Sequence, residues 1–427
     1  MYEIRDPVHG FIVLNEWEWD IINHPIFQRL RRIRQLGLTD MVYPGAMHTR
    51  FEHSLGVMHI ASRMFEEIES RRKDFLENAM GYNEEGLKRD KYLLRIASLL
   101  HDIGHAPFSH VAETLMPQKP NSTKKFEHED YSAASIVYKL KDVIEDHPIN
   151  QTNYNITVYD IENILMGSPQ LKNRILWRDI LSSQLDADRA DYLLRDSYHI
   201  GVEYGKYDLN RLLKTITVAI DPETEQPRLA VQLDGVHTAE ALIIARYMMF
   251  TQVYFHHTRR AYDYHMGMAI QHQLGKKKQT TPESVTFPPP TNRNNVKKYL
   301  EWNDCKVMGS INDGKSGEHG EIIKKRNHYR CIFETKEVPD QNDLERYENI
   351  YNNLKDILTF TDSTTNIWYK FDDKDIKILE QENTTGEKLI LLSQLSSVVR
   401  GLNTVNQKRI YVPYEERRKA QERIKGI

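Results

Sequence analysis

The sequence predicts a mainly α-helical protein with a smaller α+β region at its C-terminal end. Three observations carry that prediction. From about Ile12 to Gly275 apolar residues recur at steps of three and four. The run Lys276-Lys277-Lys278, a polar stretch and Pro288-Pro289-Pro290 then interrupt the pattern. Beyond them, strand-like runs at Tyr329 to Phe333, Leu389 to Leu392 and Arg409 to Val412 accompany one longer helical run, Asp343 to Thr359. With 427 residues the chain exceeds one ordinary core. The break divides it into residues 1–275, a helical core, and 276–427, an α+β region packed on that core.

Within the first region, Leu55, Met58, Ala61 and Phe65 line one side of a helix that begins near Arg50. Leu93, Leu94, Ala97, Leu100 and His101 form a second stripe, and Leu185, Asp188, Tyr192 and Asp196 a third. The segments Gly37 to Gly45, Gly81 to Gly86 and Met116 to Thr123 carry the Gly, Pro and Asn that end helices, so the helices are many and short. Thr215 to Ile220 and Arg228 to Leu233 flank Asp221-Pro222-Glu223-Thr224-Glu225 and read as a hairpin. The triple proline reads as a boundary or exposed connection, and Gly309 to Gly320, with four glycines, as a mobile loop. No period of 20–50 residues repeats, which excludes a solenoid.

A net charge of −3 removes the argument for a generally basic, nucleic-acid-coating protein, so nucleic acid is not indicated as a partner and an anionic ligand must be met by a local patch. Only Cys305 and Cys331 are present, too few for a disulfide scaffold or a four-cysteine zinc site. The expected compartment is therefore reducing and cytoplasmic, and a bound metal must use His, Asp and Glu. The charged start Met1-Tyr2-Glu3-Ile4-Arg5-Asp6 does not read as a signal peptide, and no run of roughly 18 apolar residues follows that would be expected to span a membrane.

Eighteen histidines carry the chemistry. In Leu99-Leu100-His101-Asp102-Ile103-Gly104-His105-Ala106-Pro107-Phe108-Ser109-His110, an imidazole and a carboxylate stand side by side at the end of an apolar helix. That ligand mixture suits a divalent Mg, Mn, Fe or Zn ion. One pair cannot hold a catalytic metal. His53, in Arg50-Phe51-Glu52-His53-Ser54-Leu55-Gly56, starts a second helix, and Asp188, Tyr192 and Asp196 share a face of a third, where acids beside leucines are poorly explained as solvated charge. Taken in order, His, His-Asp and Asp on separate helices make a metal site.

That order resembles the HD-domain phosphohydrolases. More narrowly, Asp6-Pro7-Val8-His9-Gly10, Pro25-Ile26-Phe27-Gln28-Arg29-Leu30, Gln35-Leu36-Gly37, Tyr43-Pro44-Gly45-Ala46, Arg50-Phe51-Glu52-His53-Ser54 and His101-Asp102-Ile103-Gly104-His105 follow the order of the HD-domain deoxynucleoside triphosphate triphosphohydrolases. The likeness covers about residues 3–265 and, more thinly, Arg326-Asn327-His328-Tyr329-Arg330. It implies His53, His101, Asp102 and Asp188 as metal ligands and His105 and His128 as acid–base histidines. Glu113 would orient the first of these, one methylene longer than a relative's aspartate. It further implies Arg50, His110 and Arg189 at phosphate oxygens, Gln35, Leu36, Tyr192 and Asp196 around a deoxyribose, and His256, His257 and Tyr262 in a late phosphate- and base-side segment.

The resemblance also implies an activating nucleotide held between subunits near Asn23, Gln28 and Arg31, in a homo-oligomer, dimer or tetramer. Asn23 stands where a family member has aspartate, and an amide matches the N–H groups of guanine less well than a carboxylate. The expected activity is metal-dependent hydrolysis of a dNTP to deoxynucleoside and inorganic triphosphate. Two alternatives remain open at this point. One keeps the metal site but acts on nucleoside monophosphates, cyclic nucleotides or oligonucleotides; the other is a nucleotide-sensing regulatory protein on the same fold.

Overall fold

The chain begins with a two-stranded antiparallel ribbon, β1 (Tyr2–Asp6) and β2 (Gly10–Leu14), in which Ile12 and Leu14 turn inward to the helical core. This architecture is taken from a computed structural model that describes residues 1–275, 285–357, 360–363, 369, 375–381 and 387–426. Helices dominate up to Gly275, as the periodicity predicts. Among the described residues no helix is long and apolar enough to cross a membrane.

Three helices form the centre. Arg50–Arg71 packs against both Glu84–Leu100 and Ala187–Ile200, and Phe65 and Trp177 meet in the core between them with ring centroids 4.4 Å apart. Each helix is started by a side-chain cap. Thr49 and Glu52 form a capping box, Asn83 accepts from Gly86 N–H at 2.8 Å, and Asp186 accepts from Arg189 N–H at 2.7 Å. These caps matter for chemistry because His53 and Asp188 lie in the first turn of their helices, while His101 follows the last residue of Glu84–Leu100.

The hairpin forms as read: β3 (Ile216–Ile220) and β4 (Pro227–Gln232) pair antiparallel, and the Asp221 carboxylate accepts from Thr224 Oγ1 at 3.0 Å in the turn. It does not stand alone. β7 (Lys377–Gln381) pairs parallel with β4, and β8 (Lys388–Leu391) completes a four-stranded sheet ordered β3-β4-β7-β8. Strands from both sides of residue 275 thus share one sheet. The remaining strands, β5 (Arg330–Glu334), β6 (Phe360–Ser363) and β9 (Lys408–Val412), make a second sheet with β9 in the middle.

Two expectations need correction. Gly309 to Gly320 is not a loop: it spans the end of helix Asp304–Asn312 and the start of helix Gly317–Lys325, which bury Val307, Ile311 and Ile323. Of its four glycines only Gly314 and Gly317 have positive φ, and they flank the short turn between the helices. Nor is the triple proline an exposed connection. Phe287 is buried against Tyr299 and Trp302, and Pro288 accepts a hydrogen bond from Tyr131 Oη at 2.9 Å. Proline stops the helix, but the apolar residue beside it still packs. The helix expected at Asp343 to Thr359 runs over Gln341–Asn353; Lys276-Lys277-Lys278 and residues 358–359 lie outside the described residues.

Candidate metal centre

The centre of the three-helix arrangement gathers His53, His101 and Asp102, whose donor atoms all lie within 4.8 Å of one another. Asp188 joins them: its Oδ1 is 3.1 Å from His53 Nε2 and 3.9 Å from His101 Nε2. The hydrogen bonds on the far side of each ring settle which nitrogen faces inward. His53 Nδ1 donates to Asp191 Oδ2 at 2.8 Å, and His101 Nδ1 donates to Ser98 O at 2.7 Å. Both acceptors can only accept, so Nδ1 of each ring keeps a proton and Nε2 is the nitrogen turned to the cluster.

Those two Nε2 atoms are buried and have no hydrogen-bond partner. Two orphaned imidazole nitrogens facing two carboxylates are what a divalent cation satisfies, so the residues fit the group. Charge agrees with geometry. Burial alone would lower the His53 imidazole, but the Asp188 carboxylate facing Nε2 and the Asp191 carboxylate on Nδ1 raise it to about 10. Burial would raise Asp188, whereas His53 and then His101 hold it at about 2. Asp102, opposed in the same way by burial, is held well below the usual carboxylate range by Arg50 first and by His101 and His105 next. The acids therefore stay ionised and call for positive charge at this point, which a cation supplies when His53 is a neutral ligand.

A second group of histidines borders the cluster. After Leu100 the chain turns through Gly104, where a Cβ would fall 2.2 Å from Ser132 N and 2.3 Å from His128 O. Only glycine lets the helix His128–Lys139 approach this closely. His105 and His128 consequently stack with centroids 3.8 Å apart. His105 Nε2 lies 3.2 Å from Asp102 Oδ1. Glu113 Oε1 is 3.0 Å from His128 Nδ1 and equally 3.0 Å from His110 Nδ1.

This corrects the expectation that Glu113 orients His105. Glu113 sits on a short 3-10 helix, Ser109–Leu115, whose direction aims it at His128 and His110, while Asp102 orients His105. The two stacked rings are driven apart in basicity. Burial, Arg50 and His128 push His105 well below the usual histidine range, whereas Glu113 and Glu129 overcome burial and raise His128.

Among the other expected positions, the Arg50 guanidinium is tied to Asp102 and donates from Nε to Ser109 Oγ at 2.8 Å. Arg189 pairs with Asp186 and donates to Ser183 O at 2.5 Å, and its buried Nε has no partner. His110 is 64% exposed at the rim, so it remains accessible to a ligand. Gln35 and Leu36 are buried beside the start of the Arg50 helix, and Gln35 Oε1 has no partner. Asp196 takes one bond on each oxygen, from His48 Nε2 at 2.7 Å and Tyr254 Oη at 2.6 Å, and Tyr192 meets Tyr254 edge to face.

Six expected positions have their partners outside the metal cluster. His256 and His257 stack on one another beside Glu334 of β5 and Arg409 of β9, and burial takes His256 down to about 4. Tyr262 is fully buried with its hydroxyl on His328 Nδ1 at 3.1 Å. Asn23, Gln28 and Arg31 lie at the outer surface, where Arg31 Nε donates to Gln28 Oε1 at 2.9 Å and its guanidinium covers Phe51 at 3.5 Å. Sequence reasoning missed His48 and Asp191. Asp191 and Arg195, opposite charges four apart on a helix of leucines, were the one available signal for the second.

Residues 50–196 match the HD domain and residues 207–287 the HD associated region. Over 277 residues the chain is 36% identical to an uncharacterized protein of Methanocaldococcus jannaschii, covering 65% of this chain and 51% of that one. Over 270 residues it is 31% identical to a deoxynucleoside triphosphate triphosphohydrolase SAMHD1 homolog of Dictyostelium discoideum, covering 62% and 48%. The crystal structure of a hypothetical protein from Aquifex aeolicus superposes with a TM-score of 0.76 at 29% identity, over 99% of both chains. The chain spans about half the length of the curated relatives it matches.

Proposed function

We propose, for a chain that belongs to the HD-domain proteins and carries an HD-associated region after its HD domain, that it is a metal-dependent phosphohydrolase cleaving dNTPs to deoxynucleoside and inorganic triphosphate. The observation that carries this reading is the set of four donors from three helical segments, His53, His101, Asp102 and Asp188, with two imidazole nitrogens left without partners. These four would hold a divalent ion, which when bound polarises a phosphoryl oxygen and lowers the pKa of water. The narrower choice of a dNTP is supported by the relatives that bear that activity in their names.

In the reaction, water adds to the α-phosphorus, the bond from that phosphorus to the 5′ oxygen breaks, and the leaving oxygen takes a proton. His128, protonated by virtue of Glu113, is the donor; His105, neutral, aligned by Asp102 and stacked on His128, takes the proton of the water. Arg189 and His110 meet the distal phosphates, and Arg50 reinforces Asp102 while presenting the rest of its guanidinium to substrate. Gln35, Leu36, Tyr192 and Asp196 form the sugar side. Asn23, Gln28 and Arg31 form an effector site completed by a second subunit. The two unpaired cysteines are consistent with a reducing, cytoplasmic setting.

The test is product analysis with each dNTP singly and as a mixture, with Mn or Mg. Inorganic triphosphate and deoxynucleoside are expected. Release of orthophosphate alone would move the substrate to another phosphate ester, and activity confined to the mixture would locate an effector requirement. Light scattering with the mixture is expected to give a dimer or tetramer.

A further inference from the structure

The segment Asp6-Pro7-Val8-His9-Gly10 has no part in the chemistry above, yet it is wired to the metal cluster. It is the turn between β1 and β2, closed by Asp6 Oδ1, which accepts from Val8 N–H at 2.9 Å and His9 N–H at 2.8 Å. The other oxygen of Asp6 accepts from Arg195 Nη1 at 2.7 Å. Arg195 is itself fully buried and places Nε and Nη2 on the two oxygens of Asp191, at 2.8 and 2.9 Å. Asp191, also fully buried, takes two more bonds, from His9 Nε2 at 2.6 Å and from His53 Nδ1 at 2.8 Å.

The backbone of the metal-bearing helix is shaped to admit this carboxylate. Gly56 lies one turn after His53, and a Cβ there would fall 1.9 Å from Asp191 Oδ1 and 2.4 Å from Arg195 Nη2. Asp191 can therefore lie against that helix only because position 56 has no side chain. A carboxylate bonded to the outer nitrogen of a ligand histidine fixes both the tautomer and the plane of the ring.

We propose that Asp191 is the positioning residue for His53, and that His9 together with Arg195 and Asp6 holds it, so that the turn of the N-terminal ribbon is a working part of the metal site. The inference rests on the metal-centre reading above. Its consequence is that a residue of the ribbon, which touches no ligand atom, sets metal affinity. With Asp191 held at four points, the His53 ring cannot rotate away from Asp102 and Asp188. With His9 removed, the carboxylate loses its shortest bond and the ring gains freedom.

The experiment is calorimetric titration of the full-length, chelator-stripped protein with Mn2+, for Asp191→Asn, His9→Ala and His9→Gln, with Asp188→Ala as reference and helicity followed by circular dichroism. Asp191→Asn is expected to bind Mn2+ about 10–100-fold more weakly, and His9→Ala about 10-fold more weakly. His9→Gln, whose amide N–H can still donate to Asp191, is expected to recover most of that loss, which a merely structural role for His9 does not require. Should Asp191→Asn fail to fold because Arg195 loses its counter-charge, the two His9 variants decide. Metal lost by Asp188→Ala but bound at wild-type affinity by folded Asp191→Asn or, failing that, by His9→Ala overturns this inference alone. Metal retained at full affinity by Asp188→Ala overturns the ligand set, and this inference with it.

Discussion

The donors around His53 and the histidines around His128 share Asp102 but are held by different means. His53, Asp102 and Asp188 stand on or directly after capped helices, and the outer nitrogens of both ligand rings are fixed by buried acceptors, Asp191 and Ser98 O. His105, His110, Glu113 and His128 come from a turn, a 3-10 helix and the first position of a helix. Only His128 stands on a longer helix, His128–Lys139, and the turn that carries His105 takes its rigidity from neighbouring residues. The fully buried Arg29 donates to the carbonyls of Ile103 at 3.3 Å and His105 at 2.8 Å, Ser132 Oγ accepts from Gly104 N–H at 2.9 Å, and Asp304 from the C-terminal half accepts from Phe108 N–H at 2.8 Å. The comparison teaches that the donors for a cation are held wholly within residues 1–275, by their own helices and the N-terminal ribbon, whereas the turn that carries His105 and His110 also depends on a contact from beyond residue 275.

The largest effect that separates the two sides should come from Asp188→Ala. Removing one of four donors leaves the apolar stripe around Leu185 and Leu193 intact, so helicity is expected to survive while metal affinity falls by more than the roughly 10–100-fold typical of outer partners, and turnover is lost. Metal content by elemental analysis checks this. Full occupancy with retained turnover would remove Asp188 from the ligand set.

His128→Ala should do the opposite on the other side of Asp102. It is expected to keep the metal while losing about 10²–10⁴-fold in turnover, the range of a general acid–base group. Equal loss of metal would merge the two sides into one site.

The difference in construction also explains what the sequence could reveal. His53, His101-Asp102 and Asp188 are legible because helix starts and ends carry local signals, and Thr49-Arg50-Phe51-Glu52 and Asp186-Ala187-Asp188-Arg189 contain their own caps. The aim of Glu113 is not legible, since a register argument cannot say which way a short 3-10 helix points after Phe108 and Ser109, both at φ 57. The engagement of Asp196 by His48 and Tyr254 joins residues 148 and 58 positions apart, a relation that no local pattern encodes. The same limit hid the union of β4 with β7. In Gly309 to Gly320 the misreading had another cause: glycine composition was read as a loop, although Gly309 and Gly320 sit inside helices whose buried Ile311 and Ile323 outweigh propensity.

A smaller effect sharpens the role of the borrowed contacts. Glu113→Gln keeps the hydrogen-bonding shape but removes the charge that raises His128. The imidazolium is then less favoured, so the proton is lost at lower pH. If His128 is the donor, the alkaline limb of the pH–kcat/KM profile moves toward acid in the variant; an unmoved limb would assign the donor elsewhere. Linkage gives a second readout with a definite sign. A histidine whose folded pKa is raised contributes stability that is present below about pH 6.5 and lost as pH rises through the folded value. The Gln variant should show a weaker loss over that window in thermal melts.

The smallest expected effect tests whether the C-terminal half reaches the chemistry through one carboxylate. Asp304 begins the helix Asp304–Asn312 and is nearly fully buried, and burial, only partly offset by the N–H groups it accepts from, pushes it up to about 6. Its two oxygens take Phe108 N–H and Arg34 N–H, each at 2.8 Å, so it clamps the left-handed turn after His105 to the strand-like segment before Gln35. Asp304→Ala would leave two buried donors unpaired, at a cost of about 1–3 kcal/mol for each group left unsatisfied. Because Phe108 and Ser109 hold an unfavourable backbone conformation only while such contacts persist, the turn should relax and carry His110 and Glu113 with it. The expected signature is a lower melting temperature and a reduced kcat with Mn2+ affinity within about twofold of wild type, since no partner of His53 or His101 involves residue 304. A matching fall in metal affinity would show that the two sides are one mechanical unit, and the distinction between a metal cluster held within residues 1–275 and a histidine turn that leans on the C-terminal region would have to be given up.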